Sequence, residues 1–168
     1  MTGFRHSATR SCSVMPRTLT DPTLPAQGGA EPFDRRIGFA LRRAYQRASA
    51  NVAQSLHGSG LSVPRFSVLL CLKEKGPLSQ NLLGRLVSME PGNIHGIVRA
   101  LTSAGLVTTW DDAKDGRRRL VGLTAAGADR LAEVRQASDR ANAATLALLS
   151  PTERTTLFAL LERITATG

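Results

Sequence analysis

The chain has 168 residues, with 22 Lys and Arg against 13 Asp and Glu for a formal net charge of +9, and is 42% hydrophobic but only 4% aromatic. Such a length is one domain with a core of its own, so it needs no disulfide framework or structural metal, and Cys12 and Cys71 have no zinc-ligand spacing. The basic excess points to an anionic partner, nucleic acid before a membrane surface, while the lack of a transmembrane-length apolar run or a secretory h-region points to the cytoplasm and away from a membrane.

Residues 1–30 are rich in Ser, Thr, Pro, Gly and Ala and read as a disordered tail, with Met15 as an alternative first residue. One domain is expected over 31–168. Phe33, Ile37, Ala40, Leu41, Ala44, Ala48 and Val52 recur at helical steps, which predicts a long helix ending near Leu56 before Gly58-Ser59-Gly60. Arg35, Arg36, Arg42, Arg43 and Arg47 lie on its other face. Pro64 opens a second helix with Ser62 or Val63 just outside, and Lys75-Gly76-Pro77 stops it. Ser79 suits the N-cap of a short helix, Gln80 to Val87, with Leu82, Leu83 and Leu86 inward. Pro91 at N1 starts the next helix, which runs to about Ala104 on the stripe Ile94, Ile97, Val98 and Leu101, with Gly105 beyond its end.

Two strand-like runs follow, Leu106–Trp110 and Leu120–Leu123. They are joined by "DDAKDGRRRL", in which Asp115-Gly116 is the predicted hairpin turn. Thr124 caps a helix from Ala125 to about Leu148, and Ser150-Pro151 opens a last one with Leu157, Leu160, Leu161 and Ile164 on one side. A helix-turn-helix followed at once by a β-hairpin is a winged helix, so the expected fold is mainly α with a small hairpin wing.

The helix from Pro91 is the candidate reading element, presenting Asn93, His95 and Arg99 away from its apolar stripe. These side chains suit base edges in a major groove. Gly92 and Gly96 cost about 1 kcal/mol each in helix propensity, which close approach to a phosphate or to a neighbouring helix would offset. Arg117, Arg118 and Arg119 at a hairpin tip suit the negative potential of a narrow minor groove. Asp115 can orient Arg117, leaving Arg118 and Arg119 for phosphates or adjacent strands. A solvated polar face explains Asp-Gly but not the arginine triplet. The rival reading is a sequence-neutral architectural DNA binder. His6, His57 and His95 do not converge, so no catalytic residue, metal site or cofactor is expected.

The segments "LSVPRFSVLLCL", "GPLSQNLLGRLVSMEPGNIHGIVRALTSAGLV", "DGRRRLVGLTAAG" and "LSPTERTTLFALLERI" resemble the MarR (multiple antibiotic resistance regulator) family, chiefly through the D-x-R wing element and the L-T-x-x-G helix start. The resemblance implies an obligate homodimer, with residues 31–58 and 124–168 as dimerisation helices around a winged helix-turn-helix at 61–123. It places the wing aspartate and minor-groove arginine on Asp115 and Arg117, and the recognition-helix contacts on Asn93, His95 and Arg99 behind Pro91. Thr109 stands where relatives often carry a basic residue, and Glu90 is a poorer cap than their Asp or Ser. The implied function is a ligand-responsive repressor of a pseudo-palindromic operator. The run "GPLSQNLLGRL" with "MEPGNIHGIV" resembles the aromatic-catabolism branch, which implies an aromatic carboxylate or its acyl-CoA as effector. Arg36, Arg43, Arg47 and Arg65 are candidate anion partners and Phe39 and Tyr45 candidate walls, against dimer packing or a solvated face. A thiol-based redox sensor is a further alternative, resting on Cys71 between Leu70 and Leu72 or on Cys12 in the tail.

Overall fold

A computed structural model describes residues 32–113 and 115–166, and of Arg117 the backbone alone. The expected tail at 1–30 lies outside the described residues. A 3-10 turn, Phe33–Arg35, leads into α1 (Ile37–Ser55), followed by α2 (Val63–Lys75), β1 (Leu78–Ser79), α3 (Gln80–Leu86), α4 (Pro91–Ser103), β2 (Val107–Asp112), β3 (Asp115–Leu123), α5 (Ala125–Thr145) and α6 (Pro151–Thr165). The strands form one antiparallel sheet in the order β1-β3-β2. This is the expected mainly α winged helix-turn-helix.

The core lies where α2, α3, α4, the sheet and the first half of α5 meet. Val68, Leu69, Leu83, Ile94, Leu101, Val107 and Val121 are almost wholly buried, and Leu131 and Val134 of α5 close the cluster. Each such side chain contributes about 1.5–3 kcal/mol by leaving water. Caps set the helix starts. Ser79 Oγ accepts from Leu82 N at 3.4 Å and Thr124 Oγ1 from Gly127 N at 3.0 Å, while Ser150 and Glu153 form a reciprocal capping box.

The end of α4 is locked to the start of α5. Gly105 (φ 69°) lets Leu106 N donate to Leu101 O at 3.0 Å and Gly105 N to Thr102 O at 2.9 Å, the paired bonds of a Schellman ending. Thr124 then donates its hydroxyl to Gly105 O at 2.7 Å and its amide to Leu106 O at 3.2 Å. A Cβ at Gly127 would collide with that same Leu106 carbonyl, so the glycine lets the first turn of α5 sit directly on the junction.

The hairpin corrects one expectation. The turn lies between Asp112 and Asp115, ahead of the predicted Asp115-Gly116, and Gly116 does not have a positive φ. Asp112 pairs with Asp115 and Asp111 with Arg119, so residues 116–118 have no counterpart on β2 and bulge at the wing tip. The glycine serves that bulge, and the strands extend past their apolar residues because backbone pairing carries them. The two-residue β1 was not expected either. It exists only because Leu78 and Ser79 pair with Val121 and Leu120. Smaller shifts affect the helices: Val63 lies inside α2, and α5 ends at Thr145.

Neither α1 nor α6 holds a buried residue. Phe33, Ile37 and Tyr45 at one end of the chain and Leu148, Phe158, Leu160 and Ile164 at the other are exposed large apolar side chains. Asn51 of α1 reaches Thr145 of α5, Nδ2 donating to Oγ1 at 2.8 Å.

Candidate nucleic-acid interface

The turn between α3 and α4 is tight for identifiable reasons. Ser88 takes a left-handed conformation (φ 54°), Met89 N donates to Gly84 O at 2.8 Å, and Ser88 N to Arg85 O at 3.1 Å. A Cβ at Gly84 would press on Ile94 Cγ2 at 3.2 Å, so the glycine lets the two helices approach. Pro91 takes N1 of α4, and Glu90 stands as its N-cap without a side-chain bond, as its chemistry predicts.

With Ile94, Val98 and Leu101 inward, α4 exposes Gly92, Asn93, His95, Gly96, Arg99, Thr102 and Ser103. At roughly 100° per residue, Gly92 and Gly96 occupy the middle of that arc, with His95 on one flank and Asn93 on the other. Nothing lies within 4 Å of a Cβ built on either glycine, so close packing against a neighbouring helix is not their reason. Asn93 parts from the other two reading candidates. It lines a cleft toward α1 and α2, whereas His95 and Arg99 face the wing. The reason is helical phase, since two positions turn the helix by about 200°.

On the wing side a groove of about 480 Å³ runs between α3, α4 and β3, lined by Gln80, Asn81, Arg85, His95, Arg118 and Arg119 among others. A smaller groove of about 250 Å³ continues past Arg99, Thr102 and Thr109. Gln80 Nε2 lies 3.3 Å from His95 Nδ1 across it. Arg118 Nε pairs with Asp115 at 3.1 Å, and Arg119 approaches Asp111 at 3.8 Å while donating to Thr109 Oγ1 at 3.2 Å. These pairs are exposed and each is worth about 1 kcal/mol or less, so they aim the guanidiniums more than they stabilise the hairpin. The Arg117 side chain lies outside the described residues. Sequence reasoning missed Gln80, Asn81 and Arg85. Asn81 and Arg85 stand four apart on the side of α3 away from Leu83, a spacing that was there to be read.

The second cleft, about 670 Å³, lies between α1, α2 and α4. Of the six effector candidates it gathers Tyr45 and Arg65. The other four do not line it. Phe39 packs on Phe33 with ring centroids 4.0 Å apart, Arg43 donates to Asp34 O at 3.3 Å, Arg36 is the N-cap of α1, and Arg47 is exposed. Cys71 is half-buried, and burial pushes its thiol up, with Glu74 adding to the rise and Lys75 opposing it. A raised thiol carries less of the nucleophilic thiolate. Among the described residues no group of three or more His, Cys, Asp or Glu could hold a metal ion, and no helix is long and apolar enough to cross a membrane.

Comparison with known proteins matches residues 61–118 to the profile of the MarR family. A crystal structure of a probable transcriptional regulator from Pseudomonas aeruginosa is 41% identical and superposes with a TM-score of 0.71, over 79% of this chain and 99% of that one. The chain belongs to the MarR family. Two further MarR-like relatives are similar over most of their length. The HTH-type transcriptional repressor NicR of Pseudomonas putida is 28% identical over 150 residues, 89% of this chain and 95% of NicR. BpsR of Bordetella bronchiseptica, whose DNA binding is regulated by 6-hydroxynicotinic acid, is 28% identical with a TM-score of 0.76, over 83% of this chain and 100% of BpsR. As a MarR-family member the chain is a transcriptional regulator.

Proposed function

We propose that this MarR-family chain is a repressor that reads a pseudo-palindromic operator as a cytoplasmic homodimer and releases it on binding an aromatic carboxylate. The observation that carries the DNA reading is the groove between α3, α4 and the wing, to which Arg85, Arg118 and Arg119 contribute guanidiniums, with Arg99 beside it. In this reading α4 enters the major groove, His95 and Arg99 meet base edges, and Asn93 and the N-terminal turn behind Pro91 meet the far side of the groove. Asp115, Arg117, Arg118 and Arg119 carry the wing to the next minor groove. Residues 31–58 and 124–168 supply the dimer platform, a reading supported by α1 and α6, which hold no buried residue and so have apolar faces left for a partner. Residues 61–123 form the winged unit. No catalytic step, metal or cofactor enters.

For the effector, Arg65 is the one charged side chain among the described residues that line the second cleft, beside Tyr45. One cation and an aromatic wall suit a single-ring carboxylate better than the acyl-CoA, whose diphosphate calls for further cations. The regulation of BpsR by 6-hydroxynicotinic acid, an aromatic carboxylate, supports the same class. A hundredfold loss of DNA affinity needs about 2.7 kcal/mol of coupling. The test is titration of the protein against its own upstream DNA and a scrambled duplex at physiological salt, with and without a panel of aromatic acids that includes 6-hydroxynicotinate. Discrimination above about a thousandfold, reversed by one of the acids, is expected. Discrimination below about tenfold with a steep salt slope would establish the architectural binder instead.

A further inference from the structure

We propose that Gln80 is a positioning residue that holds the His95 imidazole in a single tautomer, so that its Nε2–H donates to an acceptor on a major-groove base edge. The inference rests on the DNA reading above. An amide nitrogen can only donate, so the 3.3 Å contact from Gln80 Nε2 makes His95 Nδ1 the acceptor and leaves the proton of the neutral ring on Nε2.

Gln80 is well placed to impose this. It is the first residue of α3, and Ser79 before it is fixed twice, by pairing with Leu120 and by its cap bond to Leu82 N. Gln80 is half-buried, whereas His95 is exposed on the wing-side flank of α4. Among the described residues, the charged side chains lining the two wing-side grooves are Arg85, Arg99, Arg118 and Arg119, all of them donors. Among the described residues no carboxylate lines either groove to accept the Nε2–H, so the ring's donor is open to whatever enters.

A donor at this place can donate to a purine N7 or a thymine O4 and rejects cytosine, whose major-groove group is itself a donor. Gln80 thereby sets specificity at one base position in each half-site without touching DNA.

The experiment measures binding of wild type, Gln80→Leu, His95→Ala and the double variant to every single-base variant of the footprinted upstream site. Imidazole 15N spectra are recorded on the wild type and on Gln80→Leu. The expected result is a fivefold to tenfold loss of discrimination, roughly, at one symmetric pair of positions in Gln80→Leu, the same pair that His95→Ala affects. The double variant should lose no more than His95→Ala alone. The spectra should place the wild-type proton on Nε2 and show both tautomers in Gln80→Leu. The proposal is overturned if Gln80→Leu lowers affinity equally for all sequences, if the two losses add, or if the tautomer is unchanged. A wild type with no preference for its upstream site overturns the operator reading and this inference together, whereas a discriminating wild type with an unmoved Gln80→Leu profile overturns this one alone.

Discussion

Gly92 and Gly96 separate two demands on one helix. Glycine weakens α4, and no protein atom near either position offsets that cost. Gly96→Ala is therefore expected to stabilise the free protein by about 0.5–1 kcal/mol through helix propensity, while lowering operator affinity by roughly tenfold because a methyl group intrudes between α4 and the groove. Thermal melting and a DNA titration check the two opposite signs, and unchanged affinity would remove close approach as the glycines' role. At this scale the exposed chemistry of α4 was legible in the sequence, since Ile94, Val98 and Leu101 fix which residues face out. Gln80 was not, because its contact with His95 spans 15 positions and depends on how the start of α3 meets the flank of α4. That Asn93 faces away from His95 and Arg99 follows from helical phase, which its polarity alone did not convey.

The elements were legible wherever capping chemistry marked them. Ser79, Thr124 and Ser150 all start helices where the sequence put them. The hairpin formed, but its turn was misplaced, because Asp-Gly is a turn signal only when the register leaves it at the tip, and here β3 pairs Asp115 with Asp112. Gly127 tests the α4–α5 junction. Gly127→Ala should destabilise by about 1–3 kcal/mol, because its Cβ meets the Leu106 backbone, which cannot swing aside; chemical denaturation measures it. The start of α6 carries a pH dependence. The Ser150 amide donates to the Glu153 carboxylate at 2.7 Å and its hydroxyl at 2.8 Å, which holds that carboxyl below the usual range. A lowered folded value means the stabilisation is present above the unfolded pKa, about 4, and lost as the pH falls through the folded one. Protection factors for amide exchange in the first turn of α6, taken against the intrinsic rate at each pH, should therefore fall on acidification below about pH 4, and Glu153→Gln should abolish that loss.

The whole molecule has a sealed centre and two unsealed ends. Leu148 is 92% exposed and Ile164 58%, values that fit a surface awaiting a second copy. Leu160→Glu is expected to give a monomer at micromolar concentration in sedimentation and to weaken operator binding strongly, since a dimer interface would have to bury unpaired carboxylates. A dimer with unaltered sedimentation would move the contact off α6. The expectation of such an assembly comes from family resemblance alone, because the leucine spacing of a helix is the same whether it faces a core or a partner. The junction at Gly105 and Thr124 has a mechanical meaning in such an assembly. With 21 residues α5 is about 31 Å long, and the end of α4, the proposed reading helix, is pinned to one end of it by two hydrogen bonds and a glycine contact. It is a lever without slack: a tilt of only a few degrees at the far end displaces the near end by an ångström or two, enough to carry a reading head out of step with the pitch of the double helix.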